Sequence, residues 1–549
     1  MISRINNYSG RSLFIQLFFI LGFFFLITRL FYIQIFQDDF IEGKIDSRLI
    51  HKDSLPAKRG QILDRNGRVL ALDVTGYALE IDLDLFDPNI DQILSLVNIL
   101  NVEHSTIVEK LNKKNRYIVL KRHIKEEEKN KIEILGLKGI HYRQNLKRNY
   151  PQMEISSHVV GITDTDRIGI QGTELVFNRL LMGKDGVFTG IKSPIGYMEG
   201  YRDSPQDGSN LKLTIDIRLQ SIAYHELKKA AEFYEAQSGS IIIIDPKKGD
   251  ILALSNFPTF NPTNRENLKD LSTLRNRATV DVFEPGSVLK PLAMAAIIDS
   301  GKVKTGTKTD TSPGWIELGG YKTSDFRNYG VLSLSEIISY SSNVGMVKLC
   351  KDLNPDHLFQ YFSNFGIGRL PTNILIPSRE GFLPESSILS QRDKVSSCYG
   401  YGLSMSAIQI AQAYQVFANN GIFKELNLFY DRQLSSPEKD RRILSEETVN
   451  HINQMLFETV NSRFGTAKGA RIEGLKVAGK TGTAEKMRNN EISYTATFSG
   501  FAPARDPKLL AVIVLHDLIG EGHSGGKVAA PIFSKVISQS LHALESGST

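Results

Sequence analysis

An apolar stretch near the start of the chain covers residues 13–36 and is interrupted only by Gln16, Thr28, Arg29 and Gln34. A helix of this length can cross a bilayer core of about 30 Å. We therefore predict a transmembrane helix over residues 12–36, preceded by a short tail over residues 1–11.

The charges that flank this stretch predict its orientation. Arginines precede it, whereas acidic residues follow it (Arg4, Arg11, Asp38, Asp39, Glu42). The positive-inside bias places the tail in the cytoplasm and everything after Phe36 outside, so we expect a single-pass protein of the cytoplasmic (inner) membrane. A cleaved signal peptide is the alternative, but the stretch is long for one and no small-x-small cleavage site follows it.

Residues 37–210 contain short strand-like runs separated by charged segments, and we predict an elongated N-terminal module there. Asn66-Gly67 lies between two alternating segments and predicts a tight hairpin turn. Arginines and acids around residues 148–151 and 169–174 are interpreted as structural ion pairs rather than as chemistry.

Residues 211–549 show strands at both ends of a second module, with helices between them. Runs at 239–244 and 251–255 predict a hairpin of two buried strands around Asp245-Pro-Lys-Lys-Gly249. Helices are predicted to begin at Ser287, at the Ser333 capping box and at Ser445. Strands follow at 475–483, 494–501 and 509–516, and a last helix covers about 530–544. This order predicts an antiparallel sheet with helices on its faces.

Length and composition change this picture little. A chain of 549 residues normally holds two or three domains, and a net charge of +6 is too small to indicate a nucleic-acid partner. The two cysteines, Cys350 and Cys398, lie far apart in apolar contexts, so unpaired buried side chains are the favoured interpretation, although an exported chain could join them. The scattered histidines have no metal-ligand spacing, and we expect neither a metal nor a cofactor.

Three motifs in the second module carry the candidate chemistry. Ser287-Val-Leu-Lys290 follows Pro285-Gly286, so Ser287 lies near a helix N-terminus and Lys290 one turn later on the same face. A serine hydroxyl needs a neighbouring base to become a nucleophile, and a desolvated lysine can supply one. Taken alone, the motif is more typical of an ordinary capping serine followed by a surface lysine. Ser436-Pro-Glu-Lys439 has the same pattern, but it lies in a polar, Pro-containing loop with nothing to activate its serine.

The other two motifs supply partners for that pair. Ser341-Ser-Asn343 ends one helix and precedes another, where Ser341 could relay a proton and Asn343 could hold a peptide bond, although both residue types also cap helices. In Lys480-Thr481-Gly482-Thr483 the lysine and two hydroxyls suit a carboxylate. Gly482 permits close approach of another backbone, and a backbone N–H could join that of Ser287 in an oxyanion hole. In this order, the three motifs indicate acyl transfer through a serine ester.

A P-loop pattern also ends at this site, since Gly474-Leu-Lys-Val-Ala-Gly479-Lys480-Thr481 matches it letter for letter. That loop needs a buried strand before it and a helix after it. Neither is predicted here, so we do not favour an NTPase.

With these residues, the chain resembles the class B penicillin-binding proteins, most closely their septal branch, penicillin-binding protein 3. The resemblance covers nearly the whole chain after the anchor, and only Val288-Leu289 departs from the usual Thr followed by Val or Phe. The motifs that carry it are Arg59-Gly60 to Gly67, Arg148-x-Tyr150-Pro151, Gly169-x-x-Gly172-x-Glu174, Glu284-Pro-Gly-Ser287-x-x-Lys290-Pro291, Ser341-Ser-Asn343, Tyr399-Gly-Tyr-Gly-Leu403, Lys480-Thr-Gly-Thr-Ala484 and Phe501-Ala-Pro503.

The resemblance implies a penicillin-recognising α/β transpeptidase domain over residues 211–549, on an N-terminal pedestal of the dimerisation type over residues 37–210. It also implies a septal peptidoglycan D,D-transpeptidase that cross-links D-Ala-D-Ala stem peptides through a serine ester and is acylated by β-lactams. Ser287, Lys290 and Ser341 would be catalytic, and Asn343 and Lys480 to Thr483 would bind substrate. Membrane, a glycan polymerase and other division proteins are the implied partners.

The alternatives are an elongation-branch transpeptidase, a serine β-lactamase and a catalytically inactive division scaffold. A β-lactamase would need a hydrolytic base such as Glu385, which fits a surface helix cap better. An inactive scaffold would not be expected to keep all three motifs intact.

Overall fold

The structure is a computed structural model. It describes residues 5–36, 50–112, 115–193, 196–264, 270–304, 306–371, 377–431, 434, 440–488, 491–519 and 522–546. The second Ser-x-x-Lys motif, at 436–439, and the acidic residues after the anchor lie outside the described residues.

The helices are α1 Ile5–Phe36, α2 Ile90–Leu100, α3 His104–Leu111, α4 Glu126–Ile134, α5 Ser157–Val160, α6 Gly172–Val176, α7 Asn178–Leu181, α8 Ile217–Phe233, α9 Arg277–Val280, α10 Lys290–Asp299, α11 Leu334–Ser339, α12 Asn343–Cys350, α13 Pro355–Asn364, α14 Gln391–Ser396, α15 Ala407–Ala418, α16 Glu446–Asn461 and α17 Ala529–Glu545.

The strands are β1 Ile50–Leu55, β2 Ile62–Leu63, β3 Val69–Asp82, β4 Tyr117–Ile124, β5 Ile140–Asn149, β6 Gly186–Ser193, β7 Gly196–Asp203, β8 Leu211–Lys212, β9 Ser238–Asp245, β10 Asp250–Phe257, β11 Val282–Phe283, β12 Lys308–Asp310, β13 Trp315–Leu318, β14 Tyr321–Ser324, β15 Val331–Ser333, β16 Met405–Ser406, β17 Ile422–Phe423, β18 Arg441–Arg442, β19 Ala478–Arg488, β20 Glu491–Ala502 and β21 Leu509–Ile519.

One compact unit comprises Met1–Lys58 and Gly183–Gly208. It contains α1, in which Ser12–Ile33 is long and apolar enough to cross a membrane. It also contains a three-stranded antiparallel sheet in the order β1-β6-β7, with Ser54 opposite Val187. The predicted helix is therefore present.

The second unit comprises Arg59–Met182 and Ser209–Thr549. In its N-terminal part, β2 and β3 form the predicted hairpin, whose turn is closed by a hydrogen bond from Gly67 N to Asp64 O. Strands β4 and β5 both pair with β3, and β8 pairs in parallel with β2. Because β8 starts at Leu211, the strand just after the predicted domain boundary completes the sheet of the preceding module.

A buried ion-pair network holds this N-terminal part together, as the sequence predicts. Glu174 accepts from Arg59 Nε at 2.6 Å and from Arg148 Nε at 2.7 Å, and all three side chains are almost fully buried. Asp73 extends the network, lying 3.3 Å from Arg148 and 3.0 Å from Arg167. Buried charges need such partners, because an isolated one costs several kcal/mol.

The rest of the unit is built on a five-stranded antiparallel sheet in the order β10-β9-β21-β20-β19. Side chains alternate between its faces, so Ile242 and Ile244 enter one core while Ile241 and Ile243 enter the other. Helix α15 packs on the first face, and α8 and α17 pack on the second. The predicted antiparallel sheet with helices on its faces is confirmed, and β19 lies at its edge.

Two details differ from the sequence-based predictions. The turn Gly286–Leu289 is a 3₁₀ helix, and the α-helix begins only at Lys290, so the serine precedes α10 instead of opening it. The expectation of unpaired cysteines is wrong, because Cys350 and Cys398 form a disulfide with Cα atoms 6.5 Å apart. The end of α12 packs against the 3₁₀ turn Ser397–Tyr399, a proximity that the separation of 48 residues conceals.

Candidate active site

The candidate nucleophile lies on the 3₁₀ turn Gly286–Leu289, which packs against β19. A Cβ on Gly482 would lie 2.9 Å from Pro285 O and 3.0 Å from a Val288 methyl carbon, so only glycine permits this contact. The hydroxyl of Tyr414 donates to Val288 O at 2.7 Å and fixes the other side of the turn. Ser287 is half-buried, and within the described residues its hydroxyl makes no hydrogen bond.

Lys290 follows one turn later and is completely buried. Its Nζ donates to Ser341 O at 2.6 Å, to Asn343 Oδ1 at 2.7 Å and to Ser341 Oγ at 3.2 Å. Burial lowers the pKa of Lys290 to about 7, while the charge of Asp325 opposes this shift. A pKa near 7 allows this amine to exchange a proton at neutral pH, which suits a general base.

The hydroxyl of Ser341 lies between two lysines. Lys480 Nζ donates to Ser341 Oγ at 3.0 Å, so this hydroxyl contacts both Lys480 and Lys290. Burial and the positive charge of Lys290 hold the pKa of Lys480 well below its usual value. Ser341 itself has a φ of 62°, a left-handed backbone conformation that is unfavourable for a serine. This arrangement gives Ser341 Oγ two possible proton-transfer partners.

Asn343 begins α12, and both ends of its side-chain amide are held. Its Oδ1 accepts from Lys290, and its Nδ2 donates to Ser324 O at 3.2 Å. Asp325, which contacts the start of α12, was not selected by the sequence analysis. Asp325 accepts hydrogen bonds from Asn343 N, Val344 N and Ser342 Oγ. It follows the short exposed hairpin of β13 and β14 and belongs to no motif with characteristic spacing. A local sequence pattern therefore could not identify it.

The Lys-Thr-Gly motif lies on β19, and the alternation of the strand divides its residues between two faces. Lys480 and Gly482 face the active-site turn and Ser341. Thr481 Oγ1 donates to Thr466 Oγ1 at 3.1 Å, and Thr483 Oγ1 accepts from Gly525 N at 3.1 Å. Because β19 is an edge strand, its outer backbone groups face away from the sheet and can pair with an extended peptide.

The structure thus brings together Lys290, Ser341, Asn343 and Lys480, and it sets the Ser287 turn directly against Gly482 and Thr483. Lys480 is completely buried, and its Nζ lies in the cluster around Ser341. After Lys480 the chain continues as a strand, so the P-loop pattern does not form a nucleotide-binding loop. Glu385 is exposed, consistent with a surface position.

A sheet of this order, with a Ser-x-x-Lys turn packed on a Lys-Thr-Gly edge strand, defines the class of penicillin-recognising serine enzymes. Residues 239–538 match the family described as Penicillin binding protein transpeptidase domain, and residues 54–213 match the Penicillin-binding Protein dimerisation domain. The chain belongs to this family, as a class B penicillin-binding protein.

Relatives match over almost the whole chain. "Probable peptidoglycan D,D-transpeptidase PbpC" of Pseudomonas aeruginosa is 33% identical, covering 99% of this chain and 96% of that protein. Peptidoglycan D,D-transpeptidase FtsI of Escherichia coli K12 is 32% identical, and the match covers 96% of this chain and 90% of that protein. Among solved structures, Penicillin Binding Protein 2X from Streptococcus thermophilus superimposes with a TM-score of 0.72 at 22% identity, covering 90% of this chain and 80% of that one. The resemblance noted from the motifs is confirmed.

Proposed function

We propose that this protein is the septal peptidoglycan D,D-transpeptidase of its cell, acting through a Ser287 ester. The observation that carries the proposal is the hydroxyl of Ser341 held between Lys290 and Lys480, on the face of β19 that packs against the Ser287 turn. The transpeptidase family match and the similarity to FtsI support the same reaction and its septal role.

In the acylation step, neutral Lys290 takes the proton of Ser287 while Oγ attacks the carbonyl of the penultimate D-alanine. The resulting oxyanion is stabilised by backbone N–H groups of the Ser287 turn and of β19. Collapse breaks the amide bond, and Ser341 passes a proton to the departing amine of the terminal D-alanine. Ser341 regains a proton from its lysine neighbours, so the step balances with one ester formed and one D-alanine released.

The second step reverses these roles. An amine from a neighbouring stem peptide attacks the ester and gives up a proton to Ser341. Lys290 relays a proton to Ser287 Oγ as the ester bond breaks, so the serine hydroxyl is restored and the cross-link forms. Asn343 would hold a peptide bond of the donor. Lys480, Thr481, Gly482 and Thr483 would bind its terminal carboxylate and strand. A β-lactam imitates the donor but keeps its leaving group tethered, so the ester on Ser287 persists.

The wider assignment is also part of the proposal. A cytoplasmic tail over residues 1–11 and an anchor over 12–36 place the pedestal, 37–210, and the catalytic domain, 211–549, outside the membrane. Pedestal and anchor would contact a glycan polymerase and other division proteins. Depletion should then give filaments that fail to divide, whereas rounded cells would favour the elongation branch.

Labelling with a fluorescent penicillin tests the chemistry, with wild type compared with Ser287→Ala. We expect a long-lived adduct on the wild type and none on the variant. Rapid loss of the label would indicate a β-lactamase, and a wild type that takes no label would indicate an inactive scaffold. Lys480→Ala should slow acylation, whereas the exposed Lys508→Ala should not. Equal rates in both lysine variants would contradict the role given to Lys480.

A further inference from the structure

The disulfide between Cys350 and Cys398 joins two segments that both contact the active site. Cys350 is the last residue of α12, the helix that begins at Asn343. Cys398 lies in the 3₁₀ turn Ser397–Tyr399, which packs against α12, against α10 and against the 3₁₀ turn that carries Ser287. The bond therefore connects the helix of the second motif to the segment beside the nucleophile.

The residues after this turn hold the backbone just before the nucleophile. Gly286 N donates to Gly400 O at 3.1 Å, and Gly402 N donates to Glu284 Oε1 at 2.9 Å. A Cβ on Gly400 would overlap Gly286 O, so the two backbones are in direct contact. A shift of residues 400–402 would therefore displace the start of the catalytic turn.

Hydrogen bonds within the cysteine-containing turn are local. Ser397 Oγ donates to Asp393 O at 2.9 Å, Gly400 N donates to Ser397 O at 3.3 Å, and Tyr401 N donates to Ser396 O at 3.2 Å. These bonds shape the turn, whereas the disulfide ties it covalently to α12 across a separation of 48 residues. The position of the turn relative to the catalytic groups thus depends on this bond.

We propose that oxidation of Cys350 and Cys398 is a maturation step that positions the Ser287 turn for acylation. This inference rests on the proposed function, because its effect is on formation of the Ser287 ester. Both cysteines are positioning residues, since neither touches a reacting atom in the scheme above. The chain has only two cysteines, so one molecule can form only this disulfide.

The oxidation must take place before the fold closes, because both cysteines are almost fully buried and sulfur exchange requires direct access to a sulfur atom. One cysteine thiolate attacks the disulfide of an external oxidant and displaces one of its sulfurs. The other cysteine then attacks this mixed disulfide and displaces the second sulfur. The cysteine pair loses two electrons and two protons, and the oxidant leaves as a dithiol. In the folded protein the same burial protects the bond from reductants.

The test compares the full chain synthesised in vitro in detergent with glutathione disulfide and with dithiothreitol. Free thiols counted after denaturation establish the redox state of each preparation. A fluorescent penicillin then reports the initial rate of acylation and the final number of labelled sites. The double variant Cys350→Ala/Cys398→Ala, made under both conditions, is the matched control because it cannot form the bond.

We expect the reduced wild type to be acylated about 10- to 100-fold more slowly than the oxidised form, with the same final stoichiometry, because a small displacement of a catalytic group lowers rates by such factors. The double variant should be slow under both conditions. Equal rates for oxidised and reduced wild type, or fewer labelled sites with an unchanged rate, would overturn the positioning role. Dithiothreitol added to the folded, oxidised protein should leave the rate unchanged, and rapid loss of rate would overturn the maturation order.

A second measurement keeps this inference separate from the proposed function. A wild type that takes no label in either redox state would refute the proposed function. Amide hydrogen exchange would still test the positioning, because Gly286 N and Gly402 N donate across the contact between the two segments. Both amides should exchange more slowly in the oxidised chain than in the reduced one, and equal exchange would overturn the inference.

Discussion

The burial of Lys290 predicts how acylation of Ser287 depends on pH. An ordinary lysine has a pKa of about 10.4 and is neutral in fewer than about one in a thousand molecules at pH 7. Burial of the whole side chain lowers the pKa of Lys290 to about 7. If the neutral amine is the base, the rate of Ser287 acylation must follow the fraction of molecules in which Lys290 is neutral.

That fraction can be worked out directly. With a pKa of about 7, the amine is neutral in roughly 9% of molecules at pH 6, about 50% at pH 7 and about 91% at pH 8. The second-order rate of acylation should therefore rise about tenfold from pH 6 to pH 8 and then level off.

The assay is the initial rate of labelling by a fluorescent penicillin across pH 5–9 at constant ionic strength, with the final stoichiometry measured at each pH. Constant stoichiometry separates a change in rate from loss of folded protein. A rate that does not change between pH 6 and 8, or that rises only above pH 9, would refute the assignment of a neutral Lys290 as the base.

Three other changes test the packing around the site. Replacing Cys350 and Cys398 with alanine removes a loop constraint of 48 residues, worth about 4 kcal/mol in the chain-entropy model, and should lower the melting temperature; an unchanged value would contradict it. Gly482→Ala places a methyl 2.9 Å from Pro285 O and should slow acylation at least about tenfold; a wild-type rate would show that the turn yields freely. Glu174→Gln leaves buried Arg59 without its charged partner and leaves Arg148 with Asp73 alone, so it should cost about 3–5 kcal/mol in urea unfolding, whereas replacing an exposed glutamate should not.

Several elements could be predicted because their signals are local. The Ser333 side chain accepts from Glu336 N, and the Ser445 side chain accepts from Thr448 N, as capping residues do three positions before a backbone N–H. Strands β9 and β10 could be predicted because two apolar runs flank a turn sequence. Burial of Val449, Ile452 and Leu456 follows from helical spacing.

The candidate active site could be predicted only in part from such local signals. The motifs identified Ser287, Lys290, Ser341 and Lys480, but not the direction in which each side chain lies. Lys480 Nζ is hydrogen-bonded to Ser341 Oγ across 139 residues of sequence. Gly482 accommodates the chain's own Pro285 turn, although the sequence suggested only that some backbone approaches there.

The sequence by itself determined the long apolar helix, the alternating sheet and the choice of candidate reactive groups, because periodicity and motif spacing are properties of neighbouring residues. Tertiary structure alone decided the pairing of Cys350 with Cys398, the contacts of Asp325 and the low pKa of Lys290. Each of these depends on which distant segments meet and on how completely they exclude water, and residue spacing along one chain encodes neither.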